Sequence, residues 1–194
     1  MKNKKFIEIE IQVQVETTKN LLAFLRNNAK FISKERQIDI YYNPAHRNFL
    51  SVKPINEWLR IRNSSGKYSI NYKYWHYDKN GKSDYGDEYE TEIQNIEAVK
   101  KIFAALDIKP SVTVDKTRRI WRYKNYEVAI DSVKNLGKFI EVEYKGELNG
   151  KTPAKINNGM VLFLKEQNCG KIIRNYGGYP YRILFPNEAK KEEY

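Results

Sequence analysis

The clearest pattern in the chain lies near its start, where residues 6–15 read Phe-Ile-Glu-Ile-Glu-Ile-Gln-Val-Gln-Val. Successive side chains of a strand point to opposite faces, so Ile7, Ile9, Ile11, Val13 and Val15 share one face and Glu8, Glu10, Gln12 and Gln14 the other. Similar alternation returns at 37–42, 57–63, 67–75, 88–93, 111–123, 126–133 and 138–145, which predicts eight strands. Three stretches carry apolar residues at helical spacing instead: 17–30 through Leu21 and Leu25, 96–106 through Val99 and Phe103, and 153–167 through Ile156, Met160 and Leu164. Thr17 or Thr18 is placed to cap the first helix, and Pro110 to stop the second. Ser64-Ser65-Gly66 and Lys124-Asn125 read as hairpin turns, and 43–54 as a loop.

The polar faces of these strands are charged, and with both signs. Arg60 and Arg62 share a face, as do Lys116 and Arg118, while Lys73 lies on the hairpin partner of the first pair. Acids occupy the matching positions elsewhere: Asp39, then Glu88, Glu90 and Glu92, then Asp131, then Glu141 and Glu143. A strand with one wet face explains any one of these alone. Their recurrence favours an α+β fold, an eight-stranded antiparallel closed β-barrel with the helices packed outside and the charges lining a tunnel. Such a barrel holds side chains plus one small ligand. Residues 1–186 read as one domain and 187–194 as a polar, frayed tail.

Composition narrows the ligand. Lys+Arg 35 against Asp+Glu 24 gives a net charge of +11, which attracts anions. Cations that grip phosphate oxygens beside carboxylates that hold Mg²⁺ or Mn²⁺ suit a metal-bound polyphosphate, and neither set is stable buried without the other. Cys169 is the lone cysteine, which excludes an internal disulfide and fits a reducing compartment. No run approaches the ~20 apolar residues of a membrane span, so a cytoplasmic protein is expected. His46 and His76 are isolated, against a zinc site. The aromatic run Tyr68, Tyr72, Tyr74, Trp75, His76 and Tyr77 suits a stacking platform for single-stranded nucleic acid, but ordinary sheet packing accounts for it better, and nucleic acid is not the expected partner.

Glu8-Ile9-Glu10-Ile11-Gln12 resembles the N-terminal Glu-x-Glu-x-Lys signature of the CYTH superfamily, the class IV adenylyl cyclases and thiamine triphosphatases also called triphosphate tunnel enzymes. The resemblance continues in order through 37–43, 57–62, 71–73, 87–93, 115–118, 129–131 and 136–143, and looks most like the class IV adenylyl cyclase branch. It implies that Arg60, Arg62, Lys73, Lys116 and Arg118 bind a triphosphate and that Glu8, Glu10, Glu141 and Glu143 hold divalent metal. Asp39, Glu90 and Glu92 become secondary tunnel acids. Asp131, Lys73 and Arg118 become the catalytic set, with Asp131 beside the reacting phosphate. Conversion of ATP to cyclic AMP and pyrophosphate is the leading expectation. A triphosphatase acting on tripolyphosphate, thiamine triphosphate or a nucleotide is the alternative, and a non-catalytic binder the second. A homodimer is expected by resemblance alone. The signature lysine is Gln12 here, which removes a charge from the phosphate grip, and Trp58 stands where a small residue is commoner and narrows one mouth.

Overall fold

The computed structural model describes residues 7–188 and 191–194, so Phe6 of the expected first strand lies outside the described residues. The elements are β1 (Ile7–Glu8), β2 (Glu10–Val15), α1 (Lys19–Asn28), β3 (Lys30–Pro44), β4 (Glu57–Ser64), β5 (Lys67–Tyr77), β6 (Ser83–Ile93) and α2 (Ile96–Ala105). There follow β7 (Ile108–Tyr123), β8 (Tyr126–Val133), β9 (Gly137–Tyr144), α3 (Pro153–Glu166), β10 (Ile172–Asn175), α4 (Gly178–Leu184) and β11 (Lys191–Glu193). The fold is α+β, with one 11-stranded antiparallel sheet ordered β1-β6-β5-β4-β3-β7-β8-β9-β2-β10-β11.

The sheet is not closed into a barrel, and the reason lies in the opening strand. Its first two residues pair with β6, Ile7 opposite Asp87 and Glu8 opposite Gly86. From Glu10 onward it pairs with β9 instead, Glu10 opposite Glu143 and Ile11 opposite Val142. Ile9 falls between the two ladders and offers its carbonyl to the Tyr144 amide at 2.9 Å. The unforeseen strand β10 then takes the other edge of β2, from Ile172 opposite Val15 to Asn175 opposite Gln12. The ladder therefore has two ends, although one short stretch of chain touches both flanks of the curled sheet.

Apolar faces point outward to the helices. Ile9, Ile11 and Val13 pack with Val128, Ile140 and Val142 against Leu21 and Leu25 of α1 and Met160 and Leu164 of α3. Each such side chain removed from water contributes ~1.5–3 kcal/mol. Phe103 of α2 packs on Tyr42 and Ile61. A third cluster, Tyr41, Trp58, Val114 and Phe139 with Tyr179 of α4, lies instead on the opposite, concave face. Cys169 is buried in the first cluster, as expected of a small apolar residue.

Several boundaries differ from the sequence pattern for local reasons. β3 begins at Lys30, not 37, because its charged first half pairs along β7 from Arg122 to Thr117 across a register shift between Phe31 and Ser33. That irregularity breaks the period-2 signal. Pro110 does not stop α2, which ends at Ala105 before a left-handed Asp107 (φ 53). The proline sits inside β7, opposite Tyr42 at a second register shift, where its missing N–H costs the ladder least. The terminus is not frayed at 191–193, which add β11 to the edge of β10. Among the described residues no helix is long and apolar enough to cross a membrane.

Candidate active site

The concave face of the sheet encloses a cavity of about 330 Å³ lined by residues of β1 to β9 and the first turn of α4. Alternation delivers its charges in pairs: Arg60 and Arg62 from β4, Lys116 and Arg118 from β7, Glu141 and Glu143 from β9. These fall into two electrostatically distinct halves.

In the first half every acid is pinned by cations. Asp39, fully buried, accepts both forked N–H groups of Arg62 at 2.6 and 2.8 Å, with Arg60 and Lys116 each 3.8 Å away. Asp131, also fully buried, is held the same way by Arg118 at 2.8 and 2.6 Å, and the Tyr179 hydroxyl donates to it at 2.8 Å. Glu141 accepts from Gln12 Nε2 at 2.9 Å and is ion-paired with Arg118. Burial pushes Asp39 and Glu141 upward, but the surrounding guanidinium and ammonium groups outweigh it and hold both carboxyls well below the usual range. Lys116 is pushed down to about 8, by burial first and then by neighbouring Arg118, against the pull of Asp131, Glu141 and Asp39.

In the second half acids outnumber the cations Lys73 and Lys145, the latter ion-paired with Glu143. The Lys73 ammonium is ion-paired with both Glu8 and Glu10, 2.7 Å from the latter, and lies 4.0 Å over the Trp75 ring. Burial, reinforced by Glu10, Glu88 and Glu143, lifts the Glu8 carboxyl well above its ordinary value even though Lys73 opposes this. Glu143 is pushed up to about 7 by burial, which outweighs Lys145 and is aided by Glu10 and Glu127. Glu88 is the exception: burial raises it, but Lys73, Arg60 and the Asn71 amide bring it to about 2.

The structure brings Glu8, Glu10, Arg60, Arg62, Lys73, Lys116, Arg118, Glu141 and Glu143 to the cavity wall, as the strand pattern requires. Three assignments need correction. Asp131 shares the face of Glu127 and Ala129 but does not reach the cavity surface: it is fully buried beneath the wall, where both its oxygens are taken up by Arg118 and Tyr179. Asp39 likewise lies under the wall, because its backbone position is covered by the two arginines it holds. Glu92 is exposed beyond the end of the cavity, whereas Glu90 reaches its rim and accepts from Ser69 at 2.8 Å. Trp58 lines the cavity, edge-on to Tyr41 with ring centroids 5.5 Å apart. Sequence reading missed Glu35, Lys145 and Tyr179. Glu35 is in phase with Gln37 and Asp39, so extending that strand would have found it. Tyr179 follows Gly177-Gly178 in a segment without period.

The donor set fits a divalent cation at the acid-rich half. Glu8, Glu10 and Glu143 are hard oxygen donors from β1, β2 and β9; burial is what chiefly raises Glu8 and Glu143, and their mutual repulsion adds to it. As the side chains stand, no three such groups among the described residues converge as a ready cage, since Lys73 occupies the space between Glu8 and Glu10. Glu141 fits less well, being committed to Gln12 and Arg118.

Comparison with known proteins agrees with this geometry. Residues 6–158 match the model of the CYTH domain. The chain is 34% identical over 167 residues to MJ0240 of Methanocaldococcus jannaschii, named as an adenylate cyclase candidate, covering 85% of this chain and 91% of that one. Among solved structures, PH1819 of Pyrococcus horikoshii superposes with a TM-score of 0.69 at 28% identity, over 85% of this chain and 92% of its own. HpAC1 of Hippeastrum, an adenylyl cyclase candidate described as having a dominant triphosphatase activity, gives 0.61 at 16% identity over 92% and 95%. With the family model matched across residues 6–158 and a relative 34% identical over 85% of its length, the chain belongs to the CYTH domain family.

Proposed function

We propose that the protein is a metal-dependent enzyme acting on a triphosphate held in the cavity, most simply by converting ATP to cyclic AMP and pyrophosphate. The observation that carries this is the convergence of Arg60, Arg62, Lys116 and Arg118 with Glu8, Glu10 and Glu143 in one cavity of about 330 Å³. Arginine forks take phosphate oxygens in pairs, and Asp39 and Asp131 hold Arg62 and Arg118 at fixed angles from behind, so little ordering remains when the substrate arrives. Glu8, Glu10 and Glu143 would hold Mg²⁺ or Mn²⁺. The ion would neutralise phosphate charge and polarise the phosphorus under attack.

Charge counting supports the metal requirement. Among the described residues eight carboxylates but only six cations line the cavity, and Asp39 and Asp131 beneath add further negative charge. A bare triphosphate would enter a wall already in excess of negative charge. A triphosphate carrying divalent cation satisfies both halves, and Lys73, released from between Glu8 and Glu10, becomes free to turn to the phosphates.

Hydrolysis is the second reading, favoured by the likeness to HpAC1 of Hippeastrum, which is described as having a dominant triphosphatase activity. Incubation with ATP, GTP, thiamine triphosphate and tripolyphosphate plus Mg²⁺ or Mn²⁺, followed by product separation, decides between them. Cyclic AMP with pyrophosphate is the expected result. Phosphate alone selects the triphosphatase, and no turnover of any substrate contradicts the enzymatic reading.

A further inference from the structure

The outer face of the sheet carries a surface that the cavity does not use. Lys116, Arg118 and Ile120 of β7 line the cavity, so the alternate residues Asp115, Thr117, Arg119 and Trp121 face outward. Trp121 is buried with Leu21 and Leu25 of α1, while Phe103 of α2 packs on Tyr42 and Ile61. Between the two helices the outward side chains of β3 and β7 lie exposed or half-exposed. Phe31 stands opposite Trp121 in register, edge-on with ring centroids 5.4 Å apart, and is 52% exposed. Lys34 stands directly opposite Arg119, whose guanidinium lies 5.9 Å from the centre of the Trp121 ring. Like charges facing across a ladder repel, yet neither has a carboxylate partner among the described residues. Further along, Arg36 grips Asp115 at 2.8 and 3.0 Å, and the exposed Lys134 adjoins, its amide donating to the Asp115 carbonyl at 2.9 Å.

An exposed ring is thus followed by cations and a single acid over about 20 Å of strand. The cavity wall and the two aspartates beneath it are net negative, so the chain's surplus of +11 lies wholly outside the cavity. That field draws a polyanion, and a ring beside cations suits one in which flat rings alternate with charges. We infer that this face binds single-stranded nucleic acid, with a base stacked on Phe31 and phosphates on Lys34, Arg119 and Lys134. The aromatic run at 68–77 belongs to β5 and takes no part. The inference does not depend on the triphosphate reading, because the strand is held by its internal phosphates and outside the cavity.

Fluorescence anisotropy of a labelled single-stranded RNA of about 12 nucleotides with a 5′-hydroxyl end reads this directly. Wild type is expected to bind it, with log Kd rising against log salt at a slope of about 2, the value for three phosphate contacts. A duplex of the same sequence should bind several-fold more weakly, since paired bases cannot reach Phe31. Phe31→Ala should weaken binding about 10-fold and leave the salt slope in place. Lys34→Glu should weaken it by a similar factor and flatten the slope. Both side chains are exposed. Thermal melts verify that each variant is folded, and either one suffices if the other is not. No binding by wild type at low salt overturns the inference, as does a duplex bound as tightly as the single strand or an affinity unmoved in the folded variants. Saturating tripolyphosphate with Mg²⁺ should leave RNA binding unchanged; full competition would place the RNA in the cavity and overturn the assignment to this face.

Discussion

The two halves of the cavity are built from the same residue types and behave oppositely. Around Arg62, Lys116 and Arg118 each acid is saturated by cations, and the carboxyls of Asp39 and Glu141 are held low. Around Lys73 and Lys145 the acids outnumber the cations, and Glu8 and Glu143 are lifted. A carboxylate serves as a structural counter-ion in one place and as an unsatisfied donor in the other. What separates them is the count of neighbouring charges, since both halves are buried. Under the proposed function the saturated half would be a preorganised phosphate clamp, and the unsaturated half the place for a cation.

The sharpest way to break this contrast is Arg118→Ala. It strands Asp131 and Glu141 as buried charges, which costs about 3–5 kcal/mol of stability besides abolishing the clamp. Denaturant unfolding and turnover should therefore fall together, and a variant as stable as wild type would show that these pairs are not buried counter-ions. Next in size, Glu8→Gln should raise the metal concentration for half-maximal activity by about 10-fold or more. Glu141→Gln should leave that midpoint in place, because Glu141 belongs to the other half; matched metal defects in both variants would erase the distinction.

Smaller effects sharpen the picture. Tyr179→Phe removes one hydrogen bond to the buried Asp131 carboxylate and should cost about 1.5–3 kcal/mol in an unfolding titration. No change would detach α4 from the clamp. The smallest signal is in pH. Metal binding competes with the proton on Glu143, so it strengthens as pH rises through about 7. Triphosphate binding favours charged Lys116, so it weakens as pH rises above about 8. The product is a bell-shaped profile of kcat/KM with limbs near those values; a flat profile from pH 6 to 9 would remove both groups from the binding step.

Much of this site was legible because period-2 alternation fixes which side chains share a face. Arg60 with Arg62, Lys116 with Arg118 and Glu141 with Glu143 each reach the same wall for that reason alone. Depth along the normal to the sheet was not legible. Asp39 and Arg62 alternate alike, yet one lies beneath the other, because the longer side chain reaches over the shorter. Closure was misjudged because β10, a four-residue strand with no alternation of its own, takes the edge of β2 that a closed ring would need. Tyr179 was hidden for a similar reason. It lies beyond the family match that ends at residue 158, and only tertiary packing brings α4 over the aromatic end of the cavity.

Isothermal titration of ATP into the protein, once with excess Mg²⁺ and once with a chelator, bears most directly on the claim that an acid-excess cavity takes its substrate as a metal complex. Saturable binding with Mg²⁺ and none without it is the predicted result. Equally tight binding in the chelator would contradict the account, because it would mean that the carboxylates around Lys73 do not stand between the cations and a bare triphosphate.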